Sequence, residues 1–470
     1  MNTKSKSLLK NLGILTISNF ASKILVFLLV PLYTTFLTTT EYGTYDLIVS
    51  TVSLLVPVLS FNIVDAVMRF LMDNKSDNIE VVTIGIKYIL YSVVIVAVFL
   101  ILFSRLHIWQ EIHGLELYIF FYYLFYILNQ YFIQIAKGFE KVYDMCIAGI
   151  IGTVAMIVTN VLFLVIFKWG LPGFFLANIL SLVIPVLYFF VRIKYWTLIK
   201  CLGVNKELQK DMLIYCTPLI ATVVGWWVNS GSDKYVVTFF CGVAANGVLS
   251  VAYKIPSILN TLQNIFIQAW QISAIKEYGE DDTINFYGNT FLITNILMCA
   301  VCSWLMLLTK PLAGLLYAKG FYMAWEFVPF LLISNILNCA SGFLGPILAA
   351  KKDSKSMAMS AIYGAGVNLI LNILFVQYIG AQGVTIATVI ASFIIYQVRK
   401  SAVGNDIKIE KYSLIIITWI LLCLQAVIEI YTSLWFIELI LMFVMLCINY
   451  NGIKKLLKLV KNILYLREKR

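Results

Sequence analysis

The sequence predicts an all-α protein that crosses a membrane many times, and three observations lead to this fold class. Of its 470 residues, 61% are hydrophobic and 13% are charged, whereas soluble domains carry about 25% charged residues. Apolar segments of spanning length follow one another along the chain, and lysine and arginine concentrate in alternate connections between them. Because lipid offers the backbone no hydrogen-bonding partner, each segment is expected to be a helix.

Fourteen apolar segments are long enough to cross the hydrocarbon core of a bilayer. They are residues 12–36, 45–69, 84–104, 115–136, 145–167, 171–191, 213–232, 243–269, 287–309, 327–349, 357–378, 382–398, 412–429 and 434–450. If the first residue is cytoplasmic, the cytoplasmic connections and tails hold 28 of the 35 lysine and arginine residues, in agreement with the positive-inside rule. We therefore expect fourteen spans with both termini in the cytoplasm.

An internal repeat relates the first six segments to the next six. Asn160-Val-Leu-Phe163 matches Asn372-Ile-Leu-Phe375, and Gly170-Leu-Pro-Gly173 matches Gly380-Ala-Gln-Gly383 in the same order along the chain. Such repeats are typical of transporters. Because six is even, both copies enter the membrane in the same direction. This predicts a pseudo-two-fold axis along the membrane normal and a central cavity between two bundles, open to one side at a time.

The repeat also predicts how the chain is divided. Residues 1–200 are expected to form an N-terminal six-helix bundle and residues 201–400 a second one. Residues 401–470 supply helices 13 and 14 and a basic cytoplasmic tail. These last two helices have no counterpart in the repeat, so we interpret them as an appendage.

Two lysines lie deep inside predicted spans. Lys254 is near the middle of segment 243–269 and is followed by Pro256, which removes one backbone hydrogen bond of the helix. A lysine at the bilayer centre costs about 2.5 to 3.5 kcal/mol on insertion scales, so Lys254 is expected to face a cavity or a partner. Lys23 shares a polar stripe with Asn19 and has the same expected role, although pairing with a carboxylate for packing alone would also explain it.

Two acidic residues also stand out in the spans. Asp65 precedes Arg69 by four residues, the spacing of a helical ion pair, which is either interfacial or functional. Asp233 is expected either to bind a coupling proton or sodium ion, or to balance the charge of Lys23 or Lys254. The polar and aromatic residues expected to line the cavity are Asn19, Trp226, Trp227, Asn229, Gln268 and Trp270.

Residue patterns typical of enzymes are missing from the sequence. It has no P-loop or other glycine-rich phosphate cradle, so we expect no cofactor and no direct use of ATP. The two histidines, His107 and His113, lie in one outer connection, and the nine cysteines lie almost entirely in apolar segments, which favours packing over metal binding. The net charge of +11 is explained by orientation in the membrane rather than by nucleic-acid binding.

Two stretches resemble a known family. They are SNFASKILVFLLVPLYTTFLTTTEYGTYDL, residues 18–47, and SDKYVVTFFCGVAANGVLSVAYKIPSILNTLQNIFIQAWQISAIKE, residues 232–277. Both are similar to segments of the bacterial polysaccharide transporter family, which includes the Wzx-type flippases for O-antigen and capsule repeat units. The family belongs to the multidrug/oligosaccharidyl-lipid/polysaccharide exporter (MOP) superfamily, with MATE drug antiporters and lipid II flippases. One departure is Val248-Leu249, since family members often have tyrosine after the preceding glycine.

The resemblance implies a flippase rather than an enzyme. Its substrate would be an undecaprenyl-diphosphate-linked oligosaccharide, moved across the bacterial inner membrane by alternating access, with proton or sodium antiport and other polysaccharide assembly proteins as partners. Lys23, Arg69 and Lys254 would contact the diphosphate, and the tryptophans named above would stack on sugar rings. A lipid II flippase and a MATE-type drug antiporter remain alternatives, although cationic drugs favour cavity carboxylates over lysines.

Overall fold

A computed structural model describes residues 23–73, 77–106, 113–199, 205–279, 283–409, 412–432 and 434–450, together with residues 452 and 454. Helices account for most of these residues, and the described part of the chain contains no strand. The predicted all-α fold class is therefore confirmed.

The packing of the helices divides the chain into two compact units, Met1–Gly231 and Ser232–Arg470. The helices that lie wholly within the first unit are α1 (Lys23–Phe36), α2 (Thr39–Leu59), α3 (Ile63–Leu71), α4 (Asn78–Leu106), α5 (Glu116–Gly138), α6 (Val142–Asn160) and α7 (Gly170–Arg192). A π-helical segment, Val161–Ile166, follows α6, and a 3₁₀ turn, Tyr195–Thr197, follows α7. The division between the units falls inside α8 (Lys206–Cys241).

The second unit continues from the end of α8. Its helices are α9 (Val243–Ala252), α10 (Lys254–Lys276), α11 (Thr283–Leu307), α12 (Thr309–Leu316), α13 (Val328–Ala350), α14 (Ser354–Ile379), α15 (Ala381–Val403), α16 (Tyr412–Tyr431) and α17 (Trp435–Ile448). Segments of 3₁₀-helix, Lys319–Phe327 and Gly404–Asp406, precede α13 and follow α15.

The division inside α8 differs from the predicted boundary at residue 200, and the contacts of α8 explain the difference. Near the start of α8, Gln209 Nε2 donates to Tyr88 Oη at 2.7 Å and Lys87 Nζ donates to Gln209 Oε1 at 3.3 Å, both within the first unit. Near its end, Asp233 accepts hydrogen bonds from residues of the second unit. The predicted boundaries at residues 200 and 400 remain predictions about the repeat.

Each of the fourteen predicted segments coincides with a helix or with two consecutive helices in the described part of the chain. Within the described residues, ten helices are long and apolar enough to cross a membrane. Three shorter apolar helices, α1, α9 and α17, coincide with predicted segments 1, 8 and 14. The protein is therefore a multi-pass membrane protein, and the predicted number of fourteen spans is consistent with its helices.

In the described part of the chain, two of the helix breaks inside predicted segments lie next to predicted site residues. Between α2 and α3, Phe61 and Asn62 have φ values of 55° and 52°, the left-handed region in which asparagine is favoured. Between α9 and α10, the helix is interrupted at Tyr253. Pro256 accounts for this second break, because its nitrogen cannot donate to the carbonyl of Ala252, the last residue of α9.

The repeat seen in the sequence has a structural counterpart in each unit. A Cβ atom on Gly173 would lie 3.1 Å from the Cβ of Phe163, and a Cβ atom on Gly383 would lie 2.7 Å from the Cβ of Phe375. In both units, glycine therefore permits the sixth helix of the repeat to start directly against the end of the fifth. The matching residues perform the same packing task, as expected of two pseudo-symmetric bundles.

Each unit has its own apolar core. In the first, Phe132 of α5 stacks on Phe189 of α7 with ring centroids 6.3 Å apart, within a large cluster of buried residues. In the second, Trp270 of α10 stacks on Phe343 of α13 at 4.1 Å, and its Nε1 donates to the carbonyl of Phe343 at 2.8 Å. These contacts hold α5 against α7 and α10 against α13.

Candidate functional site

A buried carboxyl group near the end of α8 is the centre of the candidate site. Asp233 is only 2% exposed. Its Oδ1 accepts a hydrogen bond from Asn372 Nδ2 at 2.6 Å, and its Oδ2 accepts from Thr388 Oγ1 at 3.0 Å and from the hydroxyl of Tyr253 at 3.1 Å. The donors belong to α14, α15 and the break between α9 and α10, so four parts of the second unit meet at this carboxyl group.

Every one of these donors is neutral. Among the described residues of the second unit, no lysine or arginine forms an ion pair with Asp233. A buried carboxylate without a cation is costly, and it is stabilised when it binds a proton or a metal cation. These neutral donors are compatible with the predicted coupling role of Asp233, and both that role and the predicted balancing of charge with Lys23 or Lys254 remain predictions.

Two asparagines one turn apart on α14 extend the site. Asn372 Nδ2 also donates to Asn368 Oδ1 at 2.9 Å, and Asn368 Nδ2 donates to Thr388 Oγ1 at 3.4 Å. Asn372 Oδ1 is buried and has no hydrogen-bond partner among the described residues. A buried acceptor left without a donor costs about 1 to 3 kcal/mol. We refer to Asp233, Tyr253, Asn368, Asn372 and Thr388 as the Asp233 cluster.

The hydroxyl of Thr388 adds a constraint on this cluster. Its oxygen lies 3.0 Å from Asp233 Oδ2 and 2.8 Å from the carbonyl oxygen of Val384, but its single proton can be donated to only one of them at a time. When Thr388 donates to Val384, two oxygen atoms face each other at 3.0 Å. That contact is favourable when the carboxyl group of Asp233 carries a proton or when a cation lies between the oxygens.

Lys254 lies next to the Asp233 cluster along the chain. It is half-buried and is the first residue of α10, directly after Tyr253. The carbonyl of Pro256 accepts a hydrogen bond from Asn335 Nδ2 of α13 at 3.1 Å, which anchors the first turn of α10. The break at Tyr253 thus joins the predicted substrate-binding lysine to the predicted coupling carboxyl group.

The other two predicted cations lie in the first unit. Lys23 is exposed on α1, and Arg69 is exposed in the last turn of α3. Because Lys254 lies in the second unit, the predicted convergence of the three cations on one cavity remains a prediction.

Asp65 has partners that the sequence did not indicate. It accepts hydrogen bonds from Asn62 Nδ2 and Gln134 Nε2, both at 2.9 Å. Within the described residues, Asp65 forms no ion pair with Arg69, since the Arg69 side chain is exposed and the carboxyl group is directed towards Asn62 and α5. Asn62 lies in the break between α2 and α3. The four-residue spacing of Asp65 and Arg69 alone does not predict this contact between Asp65 and Asn62.

The predicted polar and aromatic lining residues lie in different environments. Trp227 is half-buried and its Nε1 donates to the carbonyl of Ser50 at 2.9 Å. Gln268 is exposed on α10, whereas Trp270 is 3% exposed and its ring is occupied by packing against Phe343. Residue Asn19 and the side chains of Trp226 and Asn229 lie outside the described part of the structure.

The polar and aromatic residues of α10, of which Gln268 and Trp270 were expected to line the cavity, occupy two faces of the helix. Gln263 and Trp270 are buried against α13, and Gln263 Nε2 donates to the carbonyl of Asn335 at 3.1 Å. Asn264, Gln268 and Gln271 are exposed. Only the exposed face is available to a substrate.

Comparison with solved structures shows which proteins share the fold. The chain is similar to the lipid II flippase MurJ in an inward closed conformation, with a TM-score of 0.70, 16% identity, and coverage of 94% of this chain and 99% of that one. It is also similar to an inward-facing multidrug resistance MATE family transporter of the MOP superfamily, with a TM-score of 0.63, 17% identity, and coverage of 89% and 96%. A mutant of the Vibrio cholerae MATE transporter VcmN gives a TM-score of 0.55 at 13% identity, with coverage of 86% and 100%. The fold is that of MOP superfamily transporters.

The family follows from the sequence comparison. The model of the polysaccharide biosynthesis protein family matches residues 8–271, which is more than half of the chain. The protein therefore belongs to the polysaccharide biosynthesis protein family. A search of curated protein sequences gives no significant match.

Proposed function

We propose that the protein is a flippase that moves undecaprenyl-diphosphate-linked oligosaccharide repeat units, of the O-antigen or capsule type, across the bacterial cytoplasmic membrane. The observation that carries the proposal is the family match over residues 8–271. The MurJ-like fold supports it, because that neighbour is described as a flippase of a lipid, lipid II. Transport proceeds by alternating access between the two bundles, and other polysaccharide assembly proteins act as partners.

The charge of the substrate accounts for the intramembrane lysines. A lipid diphosphate is anionic, and its passage through the bilayer requires fixed cations in place of water. Lys254, half-buried at the start of α10, supplies one of these charges. Lys23 and Arg69 supply the others from the first unit. Exposed polar groups such as Gln268, together with Trp226, Trp227 and Asn229, contact the sugars in this proposal.

The Asp233 cluster binds the coupling cation. It offers carboxyl, amide and hydroxyl oxygens in a buried site, and one of these, Asn372 Oδ1, lacks a hydrogen-bond partner among the described residues. Oxygen ligands suit a hard cation, and a carboxyl group suits a proton. Because Tyr253 joins this cluster to the break before Lys254, occupancy by sodium or a proton would affect the substrate-binding helix directly.

The distribution of charge supports an orientation in the bacterial inner membrane with both termini in the cytoplasm. Most lysine and arginine residues fall in the connections that this orientation places inside, and only Arg105, Lys168, Lys310 and Lys319 fall outside.

The substrate is tested by removing the protein from its host. We expect lipid-linked oligosaccharide to accumulate on the cytoplasmic face, and wild-type protein to restore its export. Lys254→Ala and Lys23→Ala are expected to restore little, whereas Lys319→Ala, which removes a lysine predicted to lie outside the membrane, restores export fully.

Full rescue by both Lys254→Ala and Lys23→Ala at normal expression would contradict the cationic cavity. Accumulation of lipid II would instead indicate a lipid II flippase, and loss of cationic dye efflux would indicate a drug antiporter. Each outcome therefore distinguishes the proposed substrate from its alternatives.

Coupling is tested in vesicles that contain purified protein and fluorescent lipid-linked oligosaccharide. We expect a sodium or pH gradient to drive transport by the wild type, and Asp233→Asn to abolish the effect of the gradient while substrate still binds. Asp65→Asn is the matched comparison, since it neutralises a carboxyl group of the first unit that also accepts from neutral donors. If Asp233→Asn retains coupling and Asp65→Asn loses it, the coupling site lies in the first unit rather than at Asp233.

A further inference from the structure

The two C-terminal helices contain a pair of buried carboxyl groups. Glu429, near the end of α16, is 3% exposed, and Glu438, in the first turn of α17, is 1% exposed. Their carboxyl groups are in hydrogen-bonding contact with each other. Glu429 Oε1 and Glu438 Oε2 are both buried, and neither accepts a hydrogen bond from an N–H or hydroxyl donor of the described residues. We refer to these two residues as the acid pair.

Lys310 of α12 is the cation that faces the acid pair. Its Nζ lies 3.8 Å from Glu429 Oε2. It also donates to the carbonyl oxygens of Glu429 at 2.9 Å and Thr432 at 3.4 Å, and it lies 4.5 Å from the centre of the Trp325 ring. Lys310 therefore caps the carboxyl-terminal end of α16 from a different helix and is held there from several sides.

The helices packed around the acid pair supply no other charge. Helices α11 and α13, which pack against α16, contain no Asp, Glu, Lys, Arg or His. Glu429 and Glu438 are themselves the only such residues of α16 and α17. One turn before Glu429, Gln425 is satisfied by Ser303, whose Oγ donates to its Oε1 at 2.7 Å. Among the described residues of these helices, the charge therefore consists of two carboxyl groups and Lys310. The 3₁₀ segment Lys319–Phe327, which packs on α12, also carries Lys319 and Glu326.

Two carboxylates cannot both remain ionised in contact inside a protein, because like charges at this distance repel strongly and neither is solvated. One proton between them converts the repulsion into a hydrogen bond. The shared proton also makes the total charge of the two carboxyl groups and Lys310 zero. A net charge of zero has the lowest desolvation cost for groups buried in an apolar bundle.

We propose that Glu429 and Glu438 form a proton-binding site that holds one shared proton, in a helix pair outside the repeated core and apart from the Asp233 cluster. This site fastens the connection between α16 and α17 to α12 through Lys310. Loss of the proton leaves one uncompensated negative charge in the bundle and weakens that attachment. As long as formation of the contact between Lys310 and the acid pair takes up one proton, the equilibrium constant for its formation falls tenfold for each unit of increase in pH.

The test measures the infrared absorption of protonated carboxyl groups in the purified full-length protein at neutral pH. An Asp233→Asn background removes the contribution of the carboxyl group in the Asp233 cluster, while the buried Asp144 is paired with Arg192 at 2.9 Å. In this background, Glu438→Gln is expected to lose one carboxyl equivalent, because Glu429 then ionises opposite Lys310. Glu429→Gln is expected to lose the same amount, since the amide can donate the hydrogen bond that the proton provided. Glu207→Gln, in the exposed first turn of α8, is the matched control and leaves the absorption unchanged.

Unchanged absorption in both Glu429→Gln and Glu438→Gln would overturn the proposal. If neither variant folds, Lys310→Met tests whether the acid pair shares a proton. Without the lysine, the acid pair must keep its proton and tends to take up a second one, so the absorption stays the same or rises. A fall in absorption in Lys310→Met would show that the carboxyl groups do not share a proton.

Discussion

Asn372 illustrates at the scale of one residue how the two repeats diverge. Its sequence counterpart in the first unit is Asn160, which is equally buried, but Asn160 Nδ2 donates to the carbonyl of Met156 at 2.7 Å rather than to a carboxyl group. Asn372 instead holds Asp233. The same residue thus supports a helix in one unit and a candidate ion site in the other.

The first prediction uses this difference. Asn372→Ala removes a hydrogen bond to a buried carboxyl group and is expected to destabilise the protein by about 1.5 to 3 kcal/mol. Asn160→Ala removes a bond between neutral groups and should cost about 1 kcal/mol. Thermal unfolding of the detergent-purified protein, with and without sodium, measures both. Equal losses in the two variants, or the same protection by sodium in both, would contradict the assigned role of Asn372.

Much of the candidate site was hidden from sequence reasoning because its contacts join distant positions. Asp233 was found because a charge inside an apolar segment is conspicuous, but its donors come from residues 20, 139 and 155 positions further along the chain. Neutral donors of this kind leave no charge pattern in the sequence. Trp270 was similarly assigned to a cavity wall, although its indole nitrogen is satisfied by the backbone of Phe343.

At the scale of elements, the contact between α14 and α15 depends on glycine. Gly383→Ala would place a Cβ atom 2.6 Å from the carbonyl carbon of Phe375, so the two helices must separate. Overpacking of this kind costs about 1 to 3 kcal/mol. Gly366→Ala, on the same helix α14 with no atom within 4 Å of the added Cβ, is expected to be neutral or to stabilise by up to about 1 kcal/mol. Unfolding in detergent compares the two, and a greater loss in Gly366→Ala would refute this account of the packing.

The start of α14 is set by a cap outside the membrane. Asp353 accepts hydrogen bonds from the hydroxyl of Ser356 at 2.7 Å and from its backbone nitrogen at 3.0 Å, and these bonds lower the pKa of Asp353. A lowered pKa means that the cap is present at neutral pH and is lost only when the pH falls through the lowered value. We expect Asp353→Ala to speed amide hydrogen exchange over residues 354–357 at neutral pH, with Lys352→Ala as the control. Equal exchange in both would indicate that the cap does not hold the helix end.

Segment lengths and helix positions could be predicted from the sequence, whereas the breaks inside segments could only partly be predicted. Pro256 signalled the interruption at Tyr253 because proline lacks a donor. The interruption between α2 and α3 carries a weaker signal, since only Asn62 favours the left-handed region and Phe61 adopts it as well. The acid pair was also missed, because Glu429 and Glu438 each lie near the end of an apolar segment, where an acidic residue is unremarkable.

At the scale of the whole molecule, the proposed orientation makes a prediction about accessibility. After replacement of the free cysteines, Lys319→Cys should react with a membrane-impermeant thiol reagent added outside the cell, and Lys408→Cys should react only after the membrane is opened. The predicted orientation requires an odd number of spans between residues 319 and 408. Reaction of both cysteines from the outside would mean that this number is even. The measurement is mass addition on the purified protein.

Because α10 begins at the break at Tyr253, a small rotation of the helix about its first residue would displace its far end by a much larger distance. The helix has 23 residues and is therefore about 35 Å long, so a rotation of about 10° at its first residue would move its far end by roughly 6 Å. Tyr253, whose hydroxyl donates to Asp233, lies at the point about which α10 would rotate. If Asp233 binds the coupling cation as proposed, the gain or loss of that one cation would be amplified into a displacement about as wide as a sugar ring.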